Sequence, residues 1–263
     1  MTEVTLVNNI AQAIWVELLK ARRSRMPLLT ALGYSMVPLM LGFFMIILRD
    51  PEMARRAGLI TAKAQLTMGT ADWQTYIKFM ALSTGAGGII LFGLIVSWVF
   101  GREYSDRTVK DLLALPTSRS AIVFAKFVVV ALWSAALIVL ICVLGLAVGA
   151  LVGLDPVPND VFIQGGMRIA ITALLTIALV TPIGFFASAG HGYLPPIGIM
   201  IVVMALAQVS NVTGRGEYFP WAIPGLYSQG EVLGAVSFVI VILTSIIGIA
   251  ATFIWWEWAD QTR

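Results

Sequence analysis

The 263 residues carry 17 basic and 14 acidic side chains, so 12% are charged, while 59% are hydrophobic and the mean hydropathy is +0.91. A soluble domain carries roughly 25% charged residues, and a folded chain of this size could not hide so much apolar surface from water. The balance excludes an ordinary soluble enzyme, a disordered chain and a disulfide scaffold, and it leaves an integral membrane protein. A single cysteine, Cys142, permits no intrachain disulfide, and one Cys with one His cannot build a Cys/His zinc site. The net charge of +3 is no argument for nucleic acid, because basic loops commonly give membrane proteins such a surplus.

The chain opens with an amphipathic stretch, Leu6–Arg25. Leu6, Ile10, Ile14 and Leu18 recur every four residues beside Trp15 and Leu19, with Gln12, Lys20 and Arg23 opposite and the basic cluster Arg22, Arg23 and Arg25 at the end. This pattern predicts a helix lying in the membrane interface over residues 1–26. A membrane span needs about 20 mostly apolar residues, and uncharged stretches of that kind run over Pro27–Leu48, Phe79–Phe100, Phe127–Leu154 and Val232–Trp256. The uncharged run 169–214 is too long for one span. Gly190-His191-Gly192 and Pro195-Pro196 divide it into Ile169–Ser188 and Leu194–Gln208. The expected fold is therefore all-α with six transmembrane helices over residues 27–256 and a tail at 257–263. The first apolar run exceeds the 7–15 residues of a signal h-region, so it reads as a span.

With the N-terminus inside, ten Lys/Arg lie on the cytoplasmic side and seven outside, which orients both termini to the cytoplasm. The mixed charges of Arg49–Lys78 suggest an external helical hairpin. Trp255, Trp256 and Trp258 at one end of the last span, and Trp73 and Trp221 near outer ends, match aromatic belts.

Between the second and third spans the sequence reads GREYSDRTVKDLLALPTSR, residues 101–119. Glu103 with Arg107, Arg107 with Asp111, and Asp106 with Lys110 are spaced four apart, as opposite charges pair on a helix. Leu112, Leu113 and Leu115 form an apolar patch before Pro116. This describes a short amphipathic helix suited to docking into a soluble partner, or else a solvated connector. The loop 210–230 mixes Gly214, Gly216 and Gly225 with Phe219, Pro220, Trp221, Pro224 and Tyr227. Broken helices that dip back into the membrane have this composition, so the loop is either an outer gate or a plain interfacial loop. Gly145, Gly149 and Gly153, four apart in the third span, allow close approach of a neighbouring helix.

No G-x-x-x-x-G-K-[ST], H-E-x-x-H or G-x-S-x-G occurs, so no ATP, zinc-hydrolase or serine-hydrolase motif is present. His191 reads as a structural turn residue. The expected span interiors lack Asp, Glu, Lys and Arg, which disfavours a proton-coupled carrier and fits a path for something apolar or amphipathic.

The run Glu103…Thr108…Leu112-Leu113…Pro116-x-Ser118-Arg119…Lys126 resembles the signature of ABC-2 type permeases, and is similar to the branch of bacitracin-export and lantibiotic-immunity permeases. Arg107 departs from it, since many members have Gly before the Thr. The resemblance implies a type V exporter-like transmembrane domain that pairs with a second permease subunit, as homodimer or heterodimer, in the bilayer of a prokaryotic cell membrane. It implies two separate ATPase subunits that bind ATP and magnesium, with no cofactor or catalytic site in this chain. The loop 102–120 would be the coupling helix, carrying Glu103, Arg107, Thr108, Asp111, Leu112, Leu113, Pro116 and Arg119. The expected function is ATP-driven export of an amphipathic drug, peptide antibiotic or lipid-like substrate. The alternatives are a stand-alone carrier or channel, and more remotely a membrane enzyme or assembly factor.

Overall fold

The computed structural model describes residues 3–50, 56, 58, 70–114 and 117–258. Among the described residues, eleven α-helices carry the architecture. They are α1 (Glu3–Arg23), α2 (Met26–Arg49), α3 (Trp73–Leu82), α4 (Gly88–Ser105), α5 (Val109–Leu113), α6 (Arg119–Val152), α7 (Asn159–Leu179), α8 (Thr181–Ala189), α9 (Leu194–Val212), α10 (Ile223–Gln229) and α11 (Ala235–Trp258). A π-helical turn, Ser83–Gly87, joins α3 to α4. Among the described residues, six segments are long and apolar enough to cross a membrane, and the chain is an all-α multi-pass membrane protein. The external hairpin expected within Arg49–Lys78 falls largely outside the described residues, as do Leu115, Pro116 and the tail from 259 onward.

The spans extend beyond their most apolar windows. The second runs from Trp73 to Ser105 and the third from Arg119 to Val152. Each end has a local cause. Asp72 caps α3 by accepting the Thr75 N–H at 2.7 Å. Ser118 caps α6 through the Ala121 N–H, and Gly153 ends that helix with φ +69, a left-handed conformation that glycine adopts without a Cβ clash. The fourth span is broken at Val180. Pro182 lacks an N–H donor, and the Thr181 hydroxyl satisfies the Ala178 carbonyl at 2.7 Å.

The second and fourth spans are the most buried, whereas α2, α9 and α11 expose apolar faces such as Leu32, Met36, Met40, Ile201, Ile242 and Ile246. In lipid these faces need no cover, and association rests on close packing. Glycines supply it. A Cβ on Gly145 would stand 2.7 Å from Met80 Cε, and one on Gly149 would enter the Trp73 indole. The small-residue stripe therefore seats α3 of the same chain, while Gly153 serves as a cap.

Trp256 is not a belt residue. It is fully buried, and its indole N–H donates to Ser188 Oγ at 2.9 Å, while Trp258 is 84% exposed. The interfacial helix also differs from its stripe. The face packed on the bundle is Ala13, Glu17 and Ala21, and Trp15 and Val16 point outward. Small residues let α1 lie close against α6, and a charge draws it there.

Candidate coupling site

That charge is Lys126. Its ammonium is wholly buried and donates to both Glu103 carboxylate oxygens at 2.9 Å, to Glu17 Oε2 at 3.2 Å and to the Val99 carbonyl at 2.8 Å. The rings of Phe100 and Trp256 stand 5.9 and 6.0 Å away. Lys20 completes the cluster, donating to Glu103 Oε1 at 3.0 Å and to Glu17. Two acids and two bases from α1, α4 and α6 thus close a neutral network. Each buried charge has ionic partners, which burial of a charge requires.

The cluster changes two expectations. The uncharged windows stay uncharged, but the helices run past them and bury Glu103 and Lys126 as a pair, beside charges nearer their ends such as Arg49, Lys78 and Arg168. Glu103 also does not meet Arg107. It belongs to the last turn of α4 and faces inward. The helical register ends at Asp106 and Arg107, so the four-residue spacing no longer places charges on one face. The remaining pair in this stretch is Arg102 with Asp106 at 3.8 Å.

Beyond Ser105 the chain turns sharply. Arg107 has φ +58, the left-handed region that glycine occupies freely and a side-chain-bearing residue occupies at a cost. The Thr108 N–H returns to the Glu103 carbonyl at 2.9 Å, and Thr108 sits at the N-cap position of α5 without a side-chain cap bond. Asp106, Arg107, Thr108, Lys110 and Asp111 are exposed, whereas Val109 is buried. Leu112 is half-buried and lines a small cavity of about 120 Å³ with Gln12, Ala13, Val16, Glu17, Thr117 and Ile122. It therefore packs toward α1. The Leu113 side chain and Pro116 lie outside the described residues. Arg119 donates to the carbonyls of Trp256 and Glu257, both at 3.2 Å, and so caps the end of α11. The loop is fastened to α1 by Leu112, to the core by Glu103 and to the last span by Arg119.

Sequence reasoning missed Glu17 and Lys20 as members of this site. Reading α1 as an apolar stripe concealed them. A glutamate flanked at four-residue spacing by Ala13 and Ala21 is the signal that a buried cation lies opposite.

At the other end of the bundle, Gly216–Tyr218 and Pro220–Ala222 form 3-10 turns that lead into α10. Phe219, Pro220 and Trp221 are half-buried, and Pro224 is buried. A Cβ on Gly85 would come within 2.8 Å of the Pro224 carbonyl oxygen, so this segment rests on the π-helical turn. Nearby, Trp73, Tyr76, Met80, Cys142, Gly145 and Phe162 help line an apolar cavity of about 220 Å³. His191 occupies a turn with φ +53, edge-on to Tyr104 at 5.1 Å.

A family model described as ABC-2 family transporter protein matches residues 13–208. The chain is also 28% identical, over 212 residues, to the bacitracin transport permease protein BCRB of Bacillus licheniformis, an alignment that covers 79% of this chain and 99% of that protein. The matched region includes the whole cluster: Glu17, Lys20, Glu103 and Lys126 all fall inside. The chain belongs to the ABC-2 transporter family, in the branch that holds the bacitracin permease, and is a permease subunit of an ABC transporter.

Proposed function

We propose that the chain is the membrane half of an exporter, driven by two cassette ATPase subunits that hydrolyse ATP with magnesium. Two permease subunits, alike or sister, would form the path in a prokaryotic cell membrane, with both termini cytoplasmic. The turn Asp106–Asp111 would be the coupling element. The observation that carries this reading is its arrangement: an exposed, charged turn hangs directly from a buried ionic cluster that joins three helices. A force on the turn would reach Glu103 through one hydrogen-bonded residue and pass to α1 and α6. Glu103, Leu112 and Arg119 would hold the element in place, while Arg107, Thr108 and Asp111 would face the partner.

The substrate class rests on the apolar cavity beside Trp73 and Met80 and on spans whose charges lie toward their ends. Both suit an amphipathic drug, peptide antibiotic or lipid-like molecule. Phe219, Pro220, Trp221 and Pro224 would close its exit.

The test is copurification of the full-length chain from its native membranes, with any P-loop protein identified by mass spectrometry. Lys110→Glu combined with Asp111→Lys reverses the exposed charges, and like-charge contacts cost several kcal/mol at an interface. Recovery of the ATPase should fall about tenfold or more. Undiminished recovery would refute the coupling role, and transport by the lone chain in liposomes would refute dependence on an ATPase.

A further inference from the structure

A third cavity, of about 540 Å³, lies between α1, the end of α4 and the start of α9. Its walls are amphipathic. Lys20, Arg23 and Arg102 bring positive charge and Asp106 a negative one, while Val16, Leu19, Trp98 and Tyr193 supply apolar surface. The charges do not cancel. Lys20 and Lys126 balance Glu17 and Glu103 within the cluster, which leaves Arg23 and Arg102 against Asp106. The Arg102–Asp106 contact is loose at 3.8 Å, and the Arg102 guanidinium lies 5.0 Å from the Trp98 ring centroid. That aromatic contact holds the guanidinium beside the ring, where its N–H groups can meet an incoming anion.

Position narrows the ligand. Ser24 lies between α1 and α2, and Tyr193 immediately precedes α9, so the cavity sits at the level where two spans begin. Beside it, Trp15 and Val16 are exposed on α1, as suits a helix resting in the interface. Basic pockets between spans at this depth suit lipid head groups.

We propose that this cavity seats the phosphate of an anionic phospholipid from the adjoining leaflet, held by Arg23 and Arg102, with Trp98 and Leu19 against the start of its acyl chains. Burial raises the Tyr193 phenol above its usual range, with Asp106 and Glu103 adding to the effect and Ser105 and Arg102 opposing it. The site is independent of the ATPase reading. Because Asp106 shares Arg102, an occupied site would loosen the turn from α4.

The experiment is binding of fluorescent phosphatidylglycerol to the purified full-length chain in a neutral detergent, with phosphatidylcholine and inorganic phosphate as competitors. Arg23→Gln and Arg102→Gln should each weaken binding about fivefold, and Arg102→Lys, which keeps the charge but not the planar fork, should restore only part of it. Arg22→Gln, one residue from Arg23 but outside the cavity, should change it less than twofold. Phosphatidylcholine competing equally with phosphatidylglycerol, or Arg22→Gln costing as much as Arg23→Gln, would overturn the proposal. Inorganic phosphate competing as well as the lipid would transfer the site to a soluble anion and overturn the lipid assignment. If Arg102→Gln fails to fold, exposed Arg23 carries the test.

Discussion

The two ends of this bundle are held by different physics. At the α1 end, four charged side chains from three helices share one buried site, and Arg119 and Leu112 tether the loop around it. At the far end, the segment 216–229 rests on the π-helical turn, and glycines admit Trp73 and Met80 into the third span. A buried ionic network is stiff, because removing one member strands the others. Packing against glycine is graded, because a neighbour can shift by a fraction of an ångström. Under the proposed coupling, the rigid junction would lie where force enters, and the yielding one where the path would open.

The contrast can be broken at three places. Lys126→Met removes the cation that Glu17 and Glu103 share. An uncompensated buried charge costs about 3–5 kcal/mol, so the full chain in detergent should lose most of its thermal stability and α1 should become open to proteolysis. A loss below about 1 kcal/mol, measured against the wild type, would show that water already reaches the cluster. Next in size, Gly85→Val presses a Cβ against the Pro224 carbonyl. Overpacking of this kind costs about 1–3 kcal/mol, and a cysteine placed at exposed Tyr218 should become more reactive in the variant. Unchanged reactivity and stability together would mean that α10 yields freely. The smallest effect is expected at Arg107→Gly, which relieves the left-handed backbone. It should stabilise the chain by up to about 1 kcal/mol, seen as a raised unfolding midpoint. A destabilised variant would mean that the Arg107 side chain makes a contact worth more than the strain.

The signature itself gains a physical explanation position by position. Ser118 is a helix cap, Arg119 neutralises the carbonyl end of α11, and Glu103 and Lys126 are the two sides of one ion pair. At Arg107 the left-handed φ of +58 is a conformation that favours glycine. None of these roles can be read from composition, since the spacing of Glu103 to Arg107 fits a helical pair equally well. What misled was the assumption that the helix continues. The backbone instead turns at Asp106, and a turn of that kind reverses which residues face inward.

The sequence alone determined the class, the number of spans and the exposed turn between the second and third. Apolar length is a local property, and a helix of about 20 such residues is the bilayer's own requirement. Which side chains meet was decided only by the tertiary structure. Glu17 and Lys126 are 109 positions apart, and nothing local links them. They pair because α1 folds back against α6 through small residues, and because a buried ammonium is tolerated only where carboxylates converge on it.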